Sequence, residues 1–134
     1  MATEQFSVQV GDWCRKAGSN AEKVVRKVAL ELFARVILRT PVDTGRARGN
    51  WFPSIGSPNQ SVDTHVDPTG SGSTGRAGAT VQSAKLGDVI YLTNNLPYIR
   101  RLEYGYSRQA PSGMVRLTVA EFKQIVDGAA SGLP

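Results

Sequence analysis

Thiols, imidazoles and long apolar runs are nearly missing from this chain. Cys14 is the single cysteine and His65 the single histidine of its 134 residues. One cysteine cannot close an internal disulfide, which suits a reducing compartment. With no histidine near it in sequence to activate it, Cys14 reads as a buried, inert thiol. Structural zinc is disfavoured, because such sites draw four ligands mainly from Cys and His. No apolar stretch approaches the roughly 20 residues that cross a bilayer. Met1 to Gln9 is polar and lacks the charged-then-apolar order of a secretion signal, so the chain is expected in cytosol. No internal repeat is visible.

What is present is ordinary globular composition, 40% apolar and 20% charged, in a length that supports one self-sufficient domain over residues 1–134. The net charge is +5, and arginine outnumbers lysine 11 to 5. Guanidinium forks pair with carboxylates at protein interfaces and equally with phosphates, so this bias points to partner proteins or to nucleic acid.

The strongest periodicity runs from Ala21 to Arg39. Val24, Val28, Leu32 and Val36 form one row and Val25, Ala29, Phe33 and Ile37 a second, which predicts an amphipathic helix. Ser19 with Glu22 reads as a capping box, and Thr40-Pro41 as the stop. Lys23, Lys27, Glu31, Arg35 and Arg39 make the opposite face, either solvated or available to a partner. Upstream, Phe6, Val10, Trp13 and Cys14 suggest a short helix ending at Gly18.

After the turn Pro41 to Gly45, Arg48 to Ile55 is predicted as a strand bent or placed at an edge by Pro53. Gly56 to Gly78 is rich in Gly, Ser, Thr and Pro with almost no large apolar groups, which predicts a flexible loop carrying Asp63, His65, Asp67 and Arg76 that orders against a neighbouring subunit. Val89 to Thr93 follows as a strand, Pro97 to Tyr104 as a short helix, and Met114 to Ala129 as a second amphipathic helix with a frayed tail over Ser131 to Pro134. The expected fold class is α+β, with a long N-terminal helix and a C-terminal helix packed on a small antiparallel sheet.

Catalytic patterns are weak. Gly70, Gly72 and Gly75 match the letters of a dinucleotide fingerprint but follow no predicted strand, and Arg76-Ala77 stands where a phosphate loop needs Lys and a hydroxyl. Asp43 and Glu103 have no spacing that pairs them as acid and base. Arg46, Arg48, Arg100, Arg101 and Arg108 gather with Trp51, Tyr98, Tyr104 and Tyr106, a mixture that fits nucleic-acid binding and protein interface anchors equally well.

Two segments carry a resemblance: Thr40-Pro41-Val42-Asp43-Thr44-Gly45-Arg46-Ala47-Arg48 after the long helix, and Asn94-Asn95-Leu96-Pro97-Tyr98-Ile99-Arg100-Arg101-Leu102-Glu103-Tyr104-Gly105 after a strand. With Gln109 to Val115 leading into the last helix, their order and spacing resemble the tail-completion or neck family of long-tailed bacteriophages, which includes the minor tail protein Z type. The resemblance implies a non-enzymatic virion protein without cofactor or catalytic residue, assembled in the bacterial host cytoplasm. It implies a closed ring, expected to be a hexamer, at the head-proximal end of the tail. The implied neighbours are tail-terminator, tail-tube or head-closure proteins, with phage DNA in the channel and no membrane. Candidate subunit or partner contacts are Asp43, Arg46, Arg48, Tyr98, Arg100, Arg101, Glu103 and Tyr104. The physical reading keeps a second role open for several: Pro41 to Gly45 redirects the chain as a rigid turn, and Tyr98, Glu103 and Tyr104 can tie the short helix to the core.

Overall fold

The computed structural model describes residues 4–9, 21–85 and 87–131. Cys14, Trp13, the Ser19 cap and the tail beyond Ser131 lie outside them. Helix α1 (Ala21–Arg39) is the axis of the fold. Both of its predicted rows are buried, from Val24 and Val25 through Val36 and Ile37. Each fully buried side chain of this size favours folding by about 1.5–3 kcal/mol, so the stripe fixes which way the helix faces.

Three strands form one antiparallel sheet in the order β1 (Glu4–Gln9), β3 (Val89–Asn94), β2 (Phe52–Ile55). Phe6 pairs with Leu92 and Gln9 with Val89 on one side; Phe52 pairs with Thr93 and Ile55 with Ile90 on the other. Ile90 and Leu92 of the central strand join α1 in one core with Trp51, Leu96, Ile99 and Met114. Pro53 sits on an edge strand, as its missing amide requires. The architecture is α+β, as expected.

Several elements differ from the sequence reading, each for a physical reason. Phe6 belongs to a strand instead of a helix, because Phe6-Ser7-Val8-Gln9 alternates with period two. Arg46–Gly49 is a helical turn, α2, not the start of a strand, and Asn50 donates its side-chain amide back to the Arg46 carbonyl at 2.8 Å. The C-terminal helix is two pieces, α5 (Val115–Ala120) and α6 (Phe122–Ser131). Thr118 turns its hydroxyl onto the Met114 carbonyl at 2.7 Å, a side-chain bond that bends helices. At the break, Glu121 is drawn to Arg35 (2.8 Å) and Arg39 (2.7 Å) of α1. The opposite face of α1, expected to be solvated or available to a partner, is thus half committed within the chain: Lys23 and Lys27 are exposed, while Arg35 and Arg39 fasten α5 and α6.

The largest correction concerns Gly56 to Gly78. Its first part is irregular, but Ser71–Ser83 is a helix, α3, packed between α1 and β2. Gly, Ser and Thr are poor helix formers, so α3 depends on its surroundings. Ser73, Ala77 and Val81 recur every four residues and are buried. At its start the Asp67 carboxylate accepts the Ser73 amide at 2.7 Å, capping a helix end that would otherwise leave amides unpaired. The irregular part is held by amide side chains rather than apolar ones. Asn50 exchanges hydrogen bonds with the Asp63 backbone at 2.8 and 2.9 Å, and Asn95 donates to the carbonyls of Asn59 and Ser61.

Candidate interaction cleft

The two segments that carry the resemblance come together as the walls of one cleft. The first wall begins where α1 stops. Thr40 closes the last turn by donating its hydroxyl to the Val36 carbonyl, and the same oxygen accepts the buried Trp51 indole N–H at 2.7 Å. Arg48 then reaches back, donating to the carbonyls of Leu38 (2.8 Å), Thr40 (3.3 Å) and Pro68 (2.7 Å). A guanidinium among the last carbonyls of a helix satisfies orphan acceptors and complements the negative end of the helix dipole. Between these anchors Gly45 adopts φ 95°, and a Cβ there would stand 2.5 Å from the Pro68 nitrogen. Only glycine lets the turn lie against 67–68.

The second wall follows β3. Asn94 donates to the Ala47 carbonyl at 2.8 Å and so joins the end of the central strand to α2. Leu96 and Ile99 enter the core, which leaves Tyr98, Arg100 and Arg101 on the outer face of helix α4 (Ile99–Glu103). Gln109 closes the arrangement. Its amide accepts the Val42 N–H at 2.8 Å and donates to the Val42 carbonyl at 3.0 Å. The resulting cleft has a volume of about 350 Å³ and is bounded by Pro41 to Ala47 on one side and by Tyr98, Leu102, Tyr106 and Gln109 on the other.

The sequence-predicted contact residues divide into two groups. Asp43, Arg46 and Tyr98 line the cleft, and Arg101 lies over the ring of Tyr106, 5.3 Å from its centroid. Tyr98, Tyr104 and Tyr106 are 38%, 65% and 74% exposed, an open aromatic surface beside exposed Arg100, Arg101 and Arg108. Arg48 and Glu103 are engaged inside the molecule. Glu103 is 1% exposed. Its carboxylate accepts the backbone amides of Met114 (3.0 Å), Val115 (2.8 Å) and Arg116 (3.0 Å), and the Arg116 guanidinium at 3.1 Å. That satisfies the first amides of α5. Gly113 is required there, since a Cβ would fall 2.3 Å from the Glu103 carbonyl oxygen. Arg116 in turn covers the Tyr104 ring at 4.7 Å.

Of the residues expected in the loop, Asp63, Asp67 and Arg76 bond within the chain. Arg46 donates to the Asp63 carbonyl at 3.2 Å, and the Asp63 carboxylate accepts the His65 amide at 2.9 Å, with the His65 side chain exposed. Asp67 caps α3. Burial pushes its carboxyl up, but the Ser73 amide and hydroxyl, the Gly72 amide and the nearby Arg76 charge outweigh that and leave it lowered. Arg76 donates to the Gly49 and Trp51 carbonyls and to the Ser73 hydroxyl, and lies 5.3 Å from the Phe52 ring centroid. Gln109 and Leu102 were not foreseen as cleft residues. Neither has a distinctive residue type, and only the returning chain after Gly105 brings Gln109 to Val42.

Among the described residues, no three His, Cys, Asp or Glu side chains gather as metal ligands would, and no helix is long and apolar enough to cross a membrane. No known protein family, curated protein or solved structure matches the chain.

Proposed function

We propose that this chain is a structural, non-enzymatic subunit of a long-tailed phage virion, forming a closed ring at the head-proximal end of the tail, where it completes the tail and supports head-to-tail joining. The observation that carries this reading is the juxtaposition of the two resembling segments. They are far apart in sequence yet form the opposite walls of one cleft, latched by Gln109 on Val42. A motif pair that meets at a surface, with arginine and tyrosine exposed around it, has the composition of protein interface anchors. On this reading the chain is made in the host cytoplasm and incorporated into the virion. Sixfold symmetry follows from the resemblance, and its neighbours are tail-terminator, tail-tube or head-closure proteins.

The second reading, a nucleic-acid-binding accessory protein, is favoured by the exposed tyrosines beside Arg100, Arg101 and Arg108. It is weakened by the engagement of Arg26, Arg35, Arg39, Arg48, Arg76 and Arg116 with carbonyls and carboxylates of this same chain. Electron microscopy of particles made with and without the chain tests the first reading. Tails that fail to join heads, with restoration by the supplied chain, are the expected result; normal particles in its absence overturn it. Salt titration of binding to nonspecific duplex tests the second, since phosphate contacts give a steep salt slope.

A further inference from the structure

The cleft has the chemistry of a receptor for a particular kind of protein segment. Its floor and walls are apolar where Val42, Leu102 and the rings of Tyr98 and Tyr106 meet. Its surroundings are cationic: Arg46 lines it, Arg101 lies on Tyr106, and Arg108 stands exposed between two cleft residues, Ser107 and Gln109. Asp43 is the acidic group among the lining residues. Among the described residues Arg26, Arg35, Arg39, Arg48, Arg76 and Arg116 bond to carbonyls or carboxylates of this same chain, whereas Arg101 and Arg108 are exposed beside the cleft, and Arg46, which gives one bond to the Asp63 carbonyl, lines it.

We propose that this cleft binds an extended acidic segment of a partner protein, seating one apolar side chain between the Pro41 to Ala47 turn and Tyr106 while flanking carboxylates pair with Arg46 and Arg101. Charge complementarity selects the acidic partner. The apolar walls select a side chain over a phosphate, and a space of about 350 Å³ holds an anchor residue with its neighbours. A single-stranded nucleic acid fits less well. Arg101 and Arg116 each take one face of Tyr106 and Tyr104 from a stacking base, leaving only the opposite faces of these exposed rings. Gln109 holds the two walls at fixed separation through Val42, so the receptor is formed before its ligand arrives and little ordering entropy opposes binding.

The inference rests on the assembly reading only in taking the partner to be a virion protein. Its test uses the isolated full-length chain, so its failure leaves that reading standing, and failure of the particle experiment leaves this one standing. The probe is a yeast-displayed library of random linear peptides, sorted on the chain and then resynthesised with a fluorophore. The expected result is enrichment of sequences with Asp or Glu on both sides of a large apolar residue. Three variants at exposed positions distinguish the site: Thr44→Trp fills the cleft, Arg101→Glu reverses its rim, and Tyr106→Ala removes a wall. Each should weaken the selected peptides by about tenfold or more, the loss typical of an interface anchor, with circular dichroism unchanged. No enrichment, or peptides whose affinity ignores all three variants, overturns the proposal. So does a fluorescent single-stranded oligonucleotide that binds through Arg101 and Tyr106 with a steep salt slope.

Discussion

Glu103 and Gly113 are locked together: the Glu103 carbonyl oxygen occupies the place a Cβ on Gly113 would take, and the Glu103 carboxylate collects the next three backbone amides. One buried acid therefore ends α4 and starts α5, and it holds the cleft wall that α4 carries against the C-terminal helices. Glu103→Ala leaves the buried Met114 amide and the part-buried Val115 and Arg116 amides without their acceptor, and releases the Arg116 guanidinium. The expected loss is about 2–4 kcal/mol of stability, measured by urea unfolding, because unsatisfied buried groups cost more than the bonds they made contributed. Glu103→Gln, which keeps one acceptor, should lie between Ala and the natural chain.

The α1 stripe sets a ranking. Leu32→Ala should destabilise by about 2–5 kcal/mol through lost burial and a residual cavity, and Lys27→Ala, on the exposed face, by no more than about 0.5 kcal/mol. Thermal unfolding of the two variants measures this, and the reverse ranking would mean that the helix faces the other way.

These two cases mark what sequence reading could and could not reach. The α1 stripe was legible because Val, Leu, Phe and Ile recur at helical spacing over nineteen residues. Helix α3 was hidden because its stripe is Ser73, Ala77 and Val81, two of them too small to register as hydrophobic signal, set among glycines. Its cap, Asp67, precedes it by more than the usual capping distance. The stretch 57–66 carries almost no large apolar groups, and the hydrogen bonds it makes with Asn50 and Asn95 are set by the fold and leave no pattern in its own residues. Of the residues expected at an interface, Asp43, Arg46 and Tyr98 line the cleft, while Arg48 and Glu103 are engaged within the chain; residue type alone does not tell an exposed arginine from one that caps a helix.

Acid should weaken the junction of α1 with the C-terminal helices. Hydrogen bonds from Arg39 and then Arg35 hold the Glu121 carboxyl down to about 2, from an ordinary value of 4.5. A carboxyl depressed on folding stabilises the native state above its unfolded value, and that contribution disappears as pH falls through the folded value. The affected window is therefore about 4.5 down to about 2. Glu121→Gln should flatten the pH dependence of the unfolding midpoint across that window and leave its shape near neutrality unchanged.

Asp67→Ala tests whether α3 depends on its cap. Loss of an N-terminal side-chain acceptor typically costs about 0.5–2 kcal/mol, and here it falls on a helix of weak intrinsic propensity. Amide hydrogen exchange should rise first over 71–77, with α1 still protected. Uniform protection in the variant would show that burial of Ala77 and Val81 alone maintains the helix.

Under the proposed assembly role, Arg100→Glu with Arg101→Glu should leave the chain folded and block assembly. Both side chains are exposed on α4, whose fold-bearing residues are Ile99 and Glu103, so reversing the two charges removes nothing from the core. At an interface the same change sets like charges against a partner's carboxylates. Breaking one side of a desolvated pair costs about 2–5 kcal/mol, and the proposed closed ring would repeat that cost at every contact between copies. Assembly then fails before folding does. Circular dichroism reads the fold, and electron microscopy of particles carrying the variant reads joining of tails to heads. Intact necks would show that the arginine face meets solvent, and an unfolded variant would show that it belongs to the domain's own packing.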